Sequence, residues 1–173
     1  MVANGWNPDM SVGPKIIAYT DGGCRGNPGG IGAWAFVLIN PVTGNCLERC
    51  GGVGDTTNNR MEMQAAVEAL KALAKPGTSV EIRSDSQYLI KCCSEWMPGW
   101  KKKGWKKQGG ELKNVDLLKE LDELLAKHTV TWKWVPGHAG EKGNERVDEL
   151  ANEAMDRIGK RQDPAWEGRR VWT

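Results

Sequence analysis

The chain has 173 residues, 39% hydrophobic and 27% charged, with a net charge of +2. That composition excludes an intrinsically disordered chain, and no window approaches the roughly 18 consecutive apolar residues of a membrane-spanning helix. The length is that of one domain around one sizeable core, and the overall charge is too near zero to announce a polyanionic partner, so any such signal must be local.

Residues 1–14 carry Gly, Asn and Pro without apolar periodicity and lack the apolar stretch of a signal peptide, so they read as an N-terminal extension. Residues 15–20 (KIIAYT) are a β-branched and aromatic run ended by Asp-Gly-Gly, hence a strand entering a turn. Residues 31–39 (IGAWAFVLI) predict a second strand buried on both faces, and a third follows over about 46–53 after an Asn-Pro and Thr-Gly turn. Three strands with short connections predict an antiparallel meander. Residues 59–75 predict a helix with its polar stripe at Gln64, Glu68, Lys71 and Lys75, ended by Pro76-Gly77. A strand over 79–83 precedes a helix over 86–96; a helix over 115–127, an alternating strand over 129–135 (TVTWKWV) and a helix over 144–158 complete the series. The order βββαβααβα implies an α/β domain over 15–159 with a mixed sheet and packed helices, and 160–173 reads as a charged C-terminal tail whose Trp166 and Trp172 are available to dock it.

The five cysteines, at 24, 46, 50, 92 and 93, are odd in number, form no C-x-x-C pair and have only two histidines for company. Free thiols in a reducing cytosol are expected, rather than disulfides or a zinc site. Four carboxylates are placed differently from ordinary surface acids. Glu62 lies about 200° around its helix from Gln64, so it points toward the packed side. A carboxylate there must be paired, protonated or bound to metal; a capping or salt-bridging glutamate near the helix N-terminus, with Arg60 close by, and a metal ligand fit the pattern about equally. Asp21 and Asp85 end strands, where α/β sheets collect ligand sites and where turn aspartates are also common. Asp148 borders the apolar stripe of the last helix. Together the four suit hard cations such as Mg²⁺ or Mn²⁺, two of which can clamp the oxygens of a phosphoryl transfer.

Five segments then stand in a familiar order: TDGGCRGNPGG (20–30), TTNNRMEMQA (56–65), SDSQY (84–88), GWKKKGWK (99–106) and WVPGHAGEKGNERVDELA (134–151). They resemble the bacterial type 1 ribonuclease H family, and the resemblance spans 15–159. It implies a ribonuclease H-like α/β fold with a five-stranded mixed sheet, its first three strands antiparallel. It also implies an endonuclease that hydrolyses the RNA strand of RNA–DNA hybrids by two-metal-ion catalysis, leaving 5′-phosphate and 3′-hydroxyl ends. The family's metal-binding catalytic acids fall on Asp21, Glu62, Asp85 and Asp148. His138, in a Pro-Gly-His-Ala-Gly loop, takes a catalytic proton-transfer or product-release role. Asn144, one turn before Asp148, is placed to orient His138 or water.

Residues 96–110 (WMPGWKKKGWKKQGG) hold five lysines, three tryptophans and no acid, which supplies the local polyanion signal. A solvated lysine face with anchoring tryptophans is the weaker alternative. By resemblance this is the basic protrusion that holds the DNA strand, with Trp96, Trp100, Lys101, Lys102, Trp105 and Lys106 as contacts. Asn27, Asn58, Asn59 and Gln87 are turn or capping residues that the resemblance turns into substrate contacts, and Thr57 and Asn114 match positions holding a DNA phosphate. Asp55 stands where some relatives carry arginine beside that phosphate, and Gly99 where some carry Asn. The expected whole is a cytoplasmic monomer, away from membranes and without an obligatory protein partner, acting on RNA–DNA hybrids with two Mg²⁺ ions that Mn²⁺ can replace. A hybrid-binding module without catalysis fits less well, because four converging acids would only repel phosphates; a reverse-transcriptase ribonuclease H domain fits less well given the loop that holds His138.

Overall fold

The computed structural model describes residues 15–26, 28–137 and 140–172. Its strands are β1 (Ile16–Cys24), β2 (Gly30–Ile39), β3 (Asn45–Thr56), β4 (Ser79–Ser84), β5 (Thr129–Trp134) and β6 (Trp166–Val171). Its helices are α1 (Asn58–Ala72), α2 (Gln87–Lys91), α3 (Met97–Lys102), α4 (Val115–Lys127) and α5 (Lys142–Gly159), with a π-helical turn, Cys92–Trp96, joining α2 to α3. The sheet order is β5-β4-β1-β2-β3-β6. The first three strands form the expected antiparallel meander, β4 and β5 run parallel to β1, and β6 runs antiparallel to β3.

Two cores form because strand side chains alternate between faces. On one face Ala18, Phe36 and Leu38 meet Met63, Val67 and Leu70 of α1 and Leu118 and Leu121 of α4. On the other, Tyr19, Ala33, Ala35 and Val37 meet Val147, Leu150, Ala151 and Ala154 of α5. β2 contributes to both cores, which explains its nearly unbroken apolar sequence.

The sheet has six strands, not the five expected, and the sixth lies inside the segment read as a tail. Its sequence, WEGRRV, lacks an apolar face because β6 is an edge strand held largely by charge. Arg49 bonds Glu167, and Arg170 Nη2 lies 2.8 Å from Glu48 Oε2. β3 is longer than expected, and α1 ends earlier. The single helix expected over 86–96 is instead α2, the π turn and α3 in succession. The widened turn directly precedes Pro98, whose ring would strike the carbonyl four residues back in a regular helix.

Candidate active site

The parallel pairing of β1 with β4 sets Tyr19 opposite Arg83; two residues further on, Asp85 follows the last residue of β4, whereas Asp21 is still inside β1, opposite Ala35 of β2, so the strand end expected at Asp21 comes at Cys24 instead. α1 enters from above. A Cβ at Gly22 would lie 2.2 Å from the Met61 carbonyl carbon and 2.3 Å from the Glu62 nitrogen, so only glycine lets α1 ride on the β1 backbone. That close approach delivers Glu62, and carboxylate oxygens of Asp21, Glu62 and Asp85 come within 4.8 Å of one another. Asp148, exposed on α5, joins them on the wall of one cleft of about 410 Å³ that Asn58, Asn59 and Ser86 also line.

Asp21 and Glu62 are each only 8% exposed. Burial, reinforced by Asp85 and Asp148, pushes the Asp21 carboxyl up to about 8. Burial, then Asp21 and Asp85, raises Glu62 well above the usual glutamate range. The Gly22 amide acts against both shifts without cancelling either. The salt bridge considered for Glu62 does not form: Arg60 pairs with Asp116 of α4 at 2.7 Å. Glu62 Oε1 is buried with no hydrogen-bond partner among the described residues. Among the described residues no cation is paired with Asp21 or Glu62. An all-oxygen donor set of this kind fits Mg²⁺ or Mn²⁺.

The family model described as RNase H matches residues 13–156. The chain belongs to the RNase H family. Among its relatives, a ribonuclease H of Cupriavidus pinatubonensis is 51% identical over 142 residues, covering 82% of this chain and 95% of the relative. Of solved structures, LC9-RNase H1, a type 1 RNase H with the type 2 active-site motif, superposes with a TM-score of 0.74 at 30% identity, covering 94% of this chain and 80% of that one. LC11-RNase H1, solved in complex with an RNA/DNA hybrid, superposes with a TM-score of 0.61 at 28% identity, covering 83% of this chain and 99% of that one.

The other expected site residues distribute around this RNase H cleft in distinct ways. Asn144 is buried and lines a neighbouring recess with Asp85, Gly137 and Asp148. Thr57 caps α1 by accepting from the Arg60 amide, and Asn114, at the start of α4 with φ of 62°, accepts from the Arg60 guanidinium and donates to Tyr88. Arg60 therefore joins Thr57 to Asn114, a link that sequence reading missed; the Arg60–Asp116 pair spans 56 positions in the chain. Asp55 is exposed, with φ of 53°, near the end of β3. Gln87 is exposed on the first turn of α2. Asn27 and His138 lie outside the described residues.

In the basic segment Trp96 is 41% exposed and lies 5.8 Å from Trp100, ring centre to ring centre. Trp100 and Trp105 pack against the core, so they anchor the segment as well as face outward. Lys102 and Lys106 are exposed, whereas Lys101 pairs with Asp122 at 3.1 Å. Cys24, Cys46, Cys50, Cys92 and Cys93 are all free, as expected.

Proposed function

We propose that Asp21, Glu62, Asp85 and Asp148 form the divalent-metal centre of this enzyme, a ribonuclease H that hydrolyses the RNA strand of RNA–DNA hybrids. The observation that carries the assignment is the mutual approach of Asp21, Glu62 and Asp85 with no cation paired to Asp21 or Glu62 among the described residues. Two Mg²⁺ ions, or Mn²⁺ in their place, would supply charge to the attacking and leaving oxygens of the scissile phosphate.

The chain's own part is to hold and orient. Because burial and acidic neighbours raise both Asp21 and Glu62, positive charge brought into the cleft would favour their ionised, ligating forms. Asp148, exposed on the rim, meets the incoming substrate side. Asn144 orients water beside Asp85 and Asp148. His138 passes a proton toward the leaving 3′ oxygen, and the products carry 5′-phosphate and 3′-hydroxyl ends. Asn58 and Asn59 at the cleft edge, with Asn27 and Gln87, present amides to the RNA 2′-hydroxyl, the group that distinguishes RNA from DNA. Thr57 and Asn114 receive a DNA phosphate. Lys101, Lys102 and Lys106 neutralise further phosphates, and Trp96, Trp100 and Trp105 pack along the strand.

Among the described residues no helix is long and apolar enough to cross a membrane. Five free thiols support a reducing, cytoplasmic setting, and the reading requires neither a second copy nor a protein partner. The test is a labelled RNA–DNA hybrid beside RNA and DNA duplexes, each with Mg²⁺ or EDTA. Cleavage of the hybrid's RNA strand alone, and only with Mg²⁺, is the expected result. Cleavage in EDTA, or equal cleavage of all three duplexes, would overturn the reading.

A further inference from the structure

Beneath the cleft, on the α5 face of the sheet, one side chain touches three of the elements that deliver its acids. Arg83 of β4 donates from Nη1 to the Tyr19 hydroxyl of β1 at 2.7 Å and from Nε to Glu81 at 2.8 Å. Its Nη1 also lies 3.6 Å from Glu141, the residue that opens α5, and its guanidinium sits 5.4 Å from the centre of the Tyr19 ring. The start of α5 is pressed onto that ring: a Cβ at Gly143 would come within 2.2 Å of it. Glu141 Oε2 is buried without a hydrogen-bond partner among the described residues, so Arg83 is the one charge compensating this carboxylate there.

The positions of these groups give them a consequence at the cleft. Tyr19 lies two residues before Asp21 within β1, so the two project to the same face, and Arg83 lies two residues before Asp85, which follows the end of β4. Glu141, Asn144 and Asp148 are spaced three and four apart, which places them along one stripe of α5. The Arg83 cluster therefore joins the three elements that carry Asp21, Asp85 and Asp148, two residues before the acid on β1 and at the end of β4, and about two turns before it on α5. Arg suits the position because its planar fork reaches several acceptors in fixed directions, which an ammonium does not.

We propose that Arg83 is a positioning residue that locks β1, β4 and the start of α5 together, so that Asp21, Asp85 and Asp148 share one cation-binding geometry. The proposal rests on the reading of the four acids as a metal centre. Outer groups that orient metal ligands typically alter metal affinity by about tenfold or more when removed.

The experiment compares wild type with Arg83→Met, Arg83→Lys and Tyr19→Phe. Mn²⁺ affinity of the free protein is measured by calorimetry, and cleavage of a hybrid is measured at saturating substrate, both well below each variant's melting point. The expected result for Arg83→Met is Mn²⁺ affinity about tenfold weaker, lower kcat and an unchanged KM for hybrid. Arg83→Lys should recover part of the loss. Tyr19→Phe, which removes one hydroxyl and keeps the ring, should shift Mn²⁺ affinity the same way by less; it carries the test if Arg83→Met does not fold. A lower Tm with unchanged Mn²⁺ affinity and kcat would make Arg83 merely structural and overturn the proposal. A wild-type protein that binds no Mn²⁺ would instead defeat the reading of the cleft.

Discussion

Two glutamates in this molecule are withdrawn from water and treated in opposite ways. Glu48, on β3, is 1% exposed and receives Arg146 through both oxygens at 3.0 Å, with Arg170 of β6 at 2.8 Å. Arg146 and Arg170 also lie over the rings of Trp166 and Trp172, at 5.7 and 5.1 Å from their centres. Glu62, on α1, is nearly as buried and has acids for neighbours and one orphaned oxygen. The paired carboxylate fastens β3, α5 and β6 to one another. The unpaired one is left among acids, with no cation paired to it among the described residues. Burial alone does not distinguish structure from function; what the chain supplies as counter-charge does.

Changing the unpaired group should have the largest effect. Asp21→Asn should lower hybrid cleavage in Mg²⁺ by about a thousandfold, since several kcal/mol of transition-state charge stabilisation depend on the cluster. Hybrid binding should persist, and at pH 8 without metal the variant should melt no lower than wild type because one repelling charge is gone. Cleavage within tenfold of wild type would contradict the assignment.

The paired group should show the reverse pattern. Glu48→Gln strands Arg146 against a neutral partner and should cost about 3 kcal/mol of stability, the low end for breaking a buried ion pair because Arg170 remains partly exposed. Denaturant unfolding measures the loss. Turnover at temperatures well below the melting point should stay close to wild type.

A subtler difference is in pH. The folded-state pKa of Asp21 is raised from the usual carboxylate range to about 8, so between those limits the folded protein holds a proton that the unfolded chain has released. Its stabilising contribution is complete below the ordinary aspartate pKa and is lost as pH rises to about 8. Metal-free protein should therefore lose stability over this interval, while Asp21→Asn should lose less. Melting curves in EDTA from pH 4 to 8 report both. A flat wild-type profile would remove the basis for the repulsive cluster.

The smallest effect concerns the exposed counterpart of the cleft, the basic segment. Replacing Lys101, Lys102 and Lys106 with Ala should weaken hybrid binding and flatten its salt dependence. On duplex DNA the slope changes by up to about 0.9 for each phosphate that is no longer neutralised. Lys101 should contribute least of the three, because Asp122 already holds it. The saturated single-turnover rate should remain near wild type.

Much of this was legible in the residues. The meander followed from short connections and the mixed sheet from the order of elements, while the packed side of Glu62 followed from the helical repeat, which states directly which face is buried. Asp21, Glu62, Asp85 and Asp148 do line one cleft. β6 was not legible: an edge strand secured by Arg170, Arg49 and cation–aromatic pairs has no apolar pattern to read. Nor were the partners of charged residues. Arg60 lies two positions from Glu62 and bonds Asp116 instead, and Glu48 and Arg83 find their partners through sheet register and helix docking, which sequence spacing does not encode. The glycine at 22 was visible only as part of a turn signal, whereas its role is to let α1 approach β1 at backbone distance.

Whether the four acids hold a cation is decided by a Mn²⁺ titration of the free protein, wild type beside Asp21→Asn, followed by calorimetry at pH 8. Wild type should bind saturably, releasing protons as Asp21 ionises, and binding should be weakened severalfold or more in the variant. Equal Mn²⁺ affinity and equal proton release in the two proteins would contradict it.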